Sequence, residues 1–339
     1  MNRRHRRHRP HSRLRRLACG TLVLSLLGSA CGAPGARQDS ASGSGHYPVT
    51  ITNCGADVTV DARPERVVLL ESSPVSTLRA LDVLDAVAVR AGAFPAGYYD
   101  DETNAAIRSI PSLGEELDTS GHLQLSVELV VAQRPDLVLG LPDGVPREAL
   151  AELGIPVLVH PTLCPTGADA TTFDDVADQV TTYGRLFDRE DRAAELVDSL
   201  RRRITAVEQA VQNRPRRTAA VLYPTIGGGT VYAYGNESMA HPQLDSAGFT
   251  NVYGDVEERV FEVTVEDLIA KDPDVLVLLH TDGDPDAVED AVAELPGADA
   301  LRAVRHDAIL VQLFNFTEPP TPLSVTGLER IHERFGGES

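Results

Sequence analysis

The side chains best suited to chemistry in this 339-residue sequence are its scarce aromatics: no Trp, eight Tyr and eight Phe. Phe94, Tyr98, Tyr99, Tyr223, Tyr232, Tyr234, Phe314 and Phe316 all fall in or beside segments that follow short apolar runs. Rings carrying hydroxyl handles hold and orient a large, partly apolar ligand; they do not transform it. Ser72, Arg259 and Asn315 stand in or beside the same segments and supply polar contacts. Catalytic arrangements are missing by comparison. Ser72-Ser73 lacks the Gly-x-Ser-x-Gly elbow of a hydrolase. Gly227-Gly228-Gly229 lacks the Lys-Ser/Thr of a phosphate-binding loop and reads as a turn. His122, His160, His241 and His280 sit on separate segments without paired spacing, so no metal centre is expected. The residues point to binding without catalysis and without a cofactor.

The elements that must position these groups alternate. Apolar runs at 66–70, 87–90, 136–140, 155–159, 218–223, 274–279 and 308–312 read as buried strands. Helical spacing separates several of them, at 74–84, 146–154 and 238–248. This alternation predicts an α/β fold with mainly parallel sheets. In such sheets ligands sit beyond the carboxyl ends of the strands, where the aromatics gather.

The first 30 residues are of another kind. They carry eight Arg and no acid, so the remaining chain holds −27 of the net −19. An acidic body of that size argues against nucleic acid as a partner. Leu17–Leu27 would rise about 16 Å as a helix, short of a bilayer core, and reads as the apolar part of an export signal. Gly28-Ser-Ala-Cys31 resembles a bacterial lipobox, in which Cys31 takes a lipid. Residues 31–46 then read as a Gly/Ser-rich tether. Export to an oxidising space leaves Cys54 and Cys164 as the body's pair and predicts a disulfide between them.

Beyond the tether the chain echoes itself. Residues 127–139 align without gaps on 265–277 at an offset of 138, with Val, Glu, Ala, Pro and Asp coinciding. Each copy reads as a short helix stopped near a Pro-Asp and followed by a strand. Two duplicated lobes follow: 47–188 and 214–335, joined by a long helix at 189–213. The stretch at 172–187 reads as a further helix with a break at Gly184.

Pro64-Glu-Arg-Val-Val68, the two Glu-bearing helices ending in Pro135-Asp136 and Pro273-Asp274, Gly154-Ile-Pro-Val157 and the long helix together resemble the substrate-binding lipoproteins of ABC importers for ferric siderophores and cobalamin. The resemblance covers Tyr47 to about Phe335. It implies two α/β lobes with a ligand cleft between them, a monomer, and partners in an ABC permease and its ATPase. It also implies docking on the permease through one acid per lobe, here Glu128 and Glu266. The alternative for these acids is stabilisation of a helix N-terminus. The cleft loops offer few cations, Arg90 and Arg259 at their margins, which favours a neutral or cationic chelate such as a ferric hydroxamate. Cobalamin, haem, a free metal ion and a non-transport receptor role remain as alternatives. The expected location is the outer face of the cytoplasmic membrane.

Overall fold

A computed structural model of the protein describes residues 45–336, except 116–122, 143, 165–169, 228–229 and 282. The export segment, Cys31, His122 and most of the tether lie outside the described residues. Among those described, no helix is long and apolar enough to cross a membrane.

The body opens with a hairpin that the sequence reading missed. Val49–Asn53 (β1) pairs antiparallel with Ala56–Val60 (β2) around Cys54 and Gly55, both at positive φ. Such two-residue turns match the twist of the strands they join. Four parallel strands form the first sheet: Val67–Leu69 (β3), Val87–Arg90 (β4), Leu137–Leu139 (β5) and Val157–Leu158 (β6), ordered β4-β3-β5-β6. The helices between them are Val75–Ala80 (α1), Asp101–Ser109 (α2), Val127–Ala132 (α3) and Arg147–Ala151 (α4).

Two helices lead to the second lobe, Phe173–Leu186 (α5) and Glu190–Val211 (α6). There the strands are Arg217–Pro224 (β7), Val231–Tyr234 (β8), Phe249–Asn251 (β9), Val260–Val263 (β10), Val275–His280 (β11) and Ile309–Leu313 (β12). They run in the order β10-β8-β7-β11-β12, with β9 beside the start of β7. This sheet is less parallel than expected, because β8 and β10 are antiparallel to their neighbours. Ala240–Ser246 (α7), Val265–Lys271 (α8), Pro285–Ala293 (α9), Arg302–Arg305 (α10) and Pro322–Phe335 (α11) complete the lobe.

The internal echo extends to backbone detail. The helix ends at Arg134 and Asp272, 138 apart, are both left-handed, with φ of 51° and 38°. Asp136 accepts the N–H groups of Glu65 and Arg66 at the entry to β3. Asp274 does the same for Thr218 in β7. The Pro-Asp of each copy stops a helix and then satisfies the start of the neighbouring strand.

The expected break at Gly184 is absent: α5 continues to Leu186. A Cβ at Gly184 would stand 2.5 Å from the Ala193 Cβ, so this glycine permits the close approach of α6. Helix α6 spans about 33 Å at 1.5 Å per residue. It buries Ala193, Val197, Leu200, Ile204, Val207 and Val211, the stripe that helical spacing predicts apart from Leu196, which is half-buried. Its Arg203 holds Glu329 of α11 through two charge-assisted bonds of 2.8 and 2.6 Å. The apolar core runs without interruption from Val67 and Leu69 of the first sheet, through Val180, Leu200 and Ile331, to Val221 and Val277 of the second. The lobes are therefore fused along their base, which limits how far they can open.

Cys54 and Cys164 form the expected disulfide. It fastens the β1–β2 hairpin to the segment after β6. The Asn53 side chain reinforces that junction like a strand partner: it donates to Val159 O at 2.7 Å and accepts from Val159 N at 2.9 Å.

Candidate functional site

The loops leaving the first sheet meet the segment that follows β12. Asn315 Nδ2 donates to Ser72 Oγ at 2.9 Å, across 243 residues of sequence. The Asn315 backbone N–H donates to the Tyr98 hydroxyl at 3.0 Å. Tyr98 packs edge-on against Phe316, with centroids 5.5 Å apart, and Leu323 completes this small apolar cluster. The Tyr99 hydroxyl donates to Ser72 O at 2.9 Å. Five predicted residues, Ser72, Tyr98, Tyr99, Asn315 and Phe316, are thus brought together, but their role differs from the one expected. Tyr98 and Asn315 are buried and bonded to each other, so they seal the lobes at the base of the cleft, while Phe316 packs on Tyr98 and turns its other side to the cavity above. Burial raises the Tyr98 and Tyr99 hydroxyl pKa values well above their ordinary range, so both stay neutral, Tyr98 accepting and Tyr99 donating.

A second strut crosses the same seam. His160, buried at the end of β6, places Nε2 2.8 Å from Pro320 O and Nδ1 2.9 Å from Thr162 Oγ1. Because a carbonyl only accepts, Nε2 carries the proton, and Nδ1, which accepts the Thr162 N–H, carries none. Burial lowers its pKa to about 4 from the ordinary 6.5. The unfolded chain takes up this proton below about pH 6.5 and the native protein only below about 4, so acidification removes stability across that window. Compared with His160→Gln, the wild type should lose about 1.4 kcal/mol more per pH unit lowered from 6.5 to 4. Urea unfolding of both proteins across that range checks it; parallel pH dependences would contradict it.

Above the seam lies a cavity of about 660 Å³ shared by the lobes. Phe94 and Pro95 face it from the loop after β4. His280, Gln312, Phe316 and Arg330 face it from the second lobe. Arg330 lies 4.8 Å over the Phe316 ring, and Arg90 lies 5.1 Å over Phe94 while pairing with Glu115 at 2.6 Å. Its size and mixture of rings with a few polar groups suit a small-molecule chelate. Gln312 and Arg330 escaped the sequence reading because they belong to a strand and a helix, whereas the strand-end rule selects loops. A cavity of similar size, about 640 Å³, lies by Arg216, His241, Asn251 and Lys271 at the amino end of β7, the wrong end of the sheet for that rule.

The remaining predicted residues stand apart from the shared cavity. Tyr223 meets Phe314 edge-on and lies 3.2 Å from the Thr281 hydroxyl. Tyr232 pairs across the strands with Tyr223 and reaches Glu262. Tyr234 is buried beside Glu318 and Arg259. Arg259, expected as a marginal cation for ligand, is already engaged at 3.4 Å by the wholly buried Glu318. Glu318 also accepts the Met239 N–H at 2.6 Å. Burial raises its carboxyl pKa and Arg259 draws it back. Gly227 lies in an exposed turn at positive φ.

Glu128 and Glu266 are both exposed at the starts of the echoing helices α3 and α8. The Glu128 backbone N–H and the Ser126 hydroxyl hold the Glu128 carboxyl below the usual carboxylate range. At the second site it is Thr264 that caps the helix, accepting the Asp267 N–H.

Comparison with known proteins agrees with this architecture. The sequence pattern of the family described as periplasmic binding protein matches residues 67–311. A solved structure described as an ABC-type Fe3+-hydroxamate transport system from Saccharomonospora viridis DSM 43017 is 75% identical, with a TM-score of 0.83, covering 86% of this chain and all of that one. A cobalamin-binding protein of Halobacterium salinarum is 30% identical over 77% of this chain, which spans 66% of that relative's length. An uncharacterized ABC transporter substrate-binding lipoprotein, YvrC of Bacillus subtilis strain 168, is 23% identical over 92% of this chain and 94% of its own.

Proposed function

The chain belongs to the periplasmic binding protein family, and from that premise we propose that it captures a ferric hydroxamate siderophore outside the cytoplasm and delivers it to an ABC importer. The observation that carries this reading is the 75% identical structure described as a Fe3+-hydroxamate transport system. The inter-lobe cavity, walled by Phe94 and Phe316 with Arg330 at one side, supports it. In this reading the rings pack on the organic shell of the chelate, and Arg330 and Gln312 donate to its iron-bound oxygens. Nothing is bonded or broken: affinity comes from apolar contact and from a site already organised by the Ser72–Asn315 and His160–Pro320 struts. The lipid on Cys31 and the tether behind it keep the protein near the membrane. Glu128 and Glu266, one on each lobe, dock on the permease, whose ATPase drives release. The Halobacterium relative favours a second reading, cobalamin. Calorimetric titration with ferric hydroxamates, ferric catecholates, haem and cobalamin separates them. Tight binding of a ferric hydroxamate is the expected result. Binding of cobalamin without any hydroxamate moves the assignment to the second reading, and binding of none overturns both.

A further inference from the structure

Among the described residues, one acid just past the first strand of the first lobe has no cationic partner. Glu71 follows β3, the strand from which the chain first passes to β4 on one side and later to β5 on the other. The crevice between the carboxyl ends of β3 and β5 is therefore the topological switch point of this sheet, where such folds admit ligands. Glu71 occupies it: a Cβ on Gly140, just past β5, would stand 2.9 Å from Glu71 Cγ. The glycine at 140 thus leaves room for the acid. The next residue, Ser72, is bonded to Asn315 of the opposite lobe, so the Glu71 backbone lies one residue from the seam between the lobes. Among the described residues no Lys, Arg or His lies within ion-pair distance of it. The two arginines expected at the cleft margins are committed elsewhere, Arg90 to Glu115 and Arg259 to Glu318.

We propose that Glu71 sets the charge class of the ligand by receiving a cationic group, an ammonium carried on the periphery of the chelate. This rests on the siderophore reading and narrows it. Burial raises the Glu71 pKa to about 7, with Ser73 opposing the shift, and the Glu71 charge in turn helps burial hold the buried Tyr183 of α5 neutral. An arriving cation supplies the missing partner and draws the proton off.

The test compares a linear ferric trihydroxamate bearing a free terminal ammonium with the same chelate acetylated at that amine. Both are titrated calorimetrically into the full-length protein and its Glu71→Gln and Glu71→Asp variants, from pH 6 to 8.5. The wild type should prefer the ammonium form by about tenfold at pH 8, as a charge-assisted contact would give. The preference should shrink below pH 7, and titrations in buffers of different ionisation enthalpy should show proton release near that pH. In Glu71→Gln the two forms should bind alike, and Glu71→Asp should restore part of the preference. Thermal melts establish that each variant is folded. Equal affinity of the wild type for the two forms, or a preference that persists in Glu71→Gln, overturns this proposal and leaves the siderophore reading standing. Binding of neither form overturns both.

Discussion

Cells whose only copy of this protein carries Glu128→Arg together with Glu266→Arg should lose uptake of the ligand by more than tenfold, while the purified variant binds it with unchanged affinity. The two acids are not merely similar in sequence. They open helices α3 and α8, which lead into strands of corresponding place, end at left-handed residues 138 apart, and share the Asp that caps the adjacent strand. Both side chains are exposed and neither lines the inter-lobe cavity. A pair of equivalent acids suits a partner with approximate two-fold symmetry and a basic site on each half. Charge reversal replaces attraction with repulsion at both ends, so the loss should exceed what either single reversal causes. A role confined to the helix N-terminus forecasts something else: slightly lowered melting temperature with uptake intact. Labelled-iron uptake beside calorimetry on the same variant decides between them, and wild-type uptake would remove the docking assignment.

Replacing Cys54 and Cys164 together by Ser should cost roughly 2–5 kcal/mol of stability, within the range seen for native disulfides. The bridge spans 110 residues of sequence, which places the chain-entropy contribution near the upper end of that range. It also has a local task. Strand β6 is a two-residue edge strand, supported on its outer side by Arg147, which donates to both Val157 O and Asn53 Oδ1, and just beyond its end by Asn53 itself. The turn after β6 carries His160 to Pro320, so loosening it weakens a strut of the cleft as well as the fold. Urea unfolding of the double variant, and of the wild type with and without reductant, measures the loss. Two reactive thiols in the unreduced native protein, or unchanged stability in the variant, would contradict it.

The parts of this structure that could be read from sequence are those governed by local pattern. Continuous apolar runs marked β3, β4, β5, β6, β7, β11 and β12, because strands that are mostly buried need no alternation. The stripe from Ala193 to Val211 marked α6. Strands β8, β9 and β10 escaped, since runs of three or four residues are too short to carry a periodic signal. The β1–β2 hairpin was legible in principle: Val49 and Ile51 alternate with Thr50 and Thr52 before a Cys-Gly turn. In the candidate site, aromatic placement found the right segments but not their use. Whether Tyr98 faces a ligand or locks onto Asn315 depends on a partner 217 residues away, and Arg259 reads as a free cation until Glu318 is found beneath it. Arg330 reaches the cavity only because α11 packs against the turn that carries Phe316. A Cβ on Gly327 would fall within bonding range of Phe316 O, so that contact depends on a glycine.

The central claim is that a ferric chelate is held between the lobes. It is tested most directly by anomalous diffraction at the iron edge from crystals of the protein grown with a ferric hydroxamate. The expected result is one iron peak per molecule, in the cavity between Phe94 on one lobe and Phe316 and Arg330 on the other. An iron peak at the amino end of β7, beside His241 and Lys271, or no ordered iron at saturating chelate, would contradict the account.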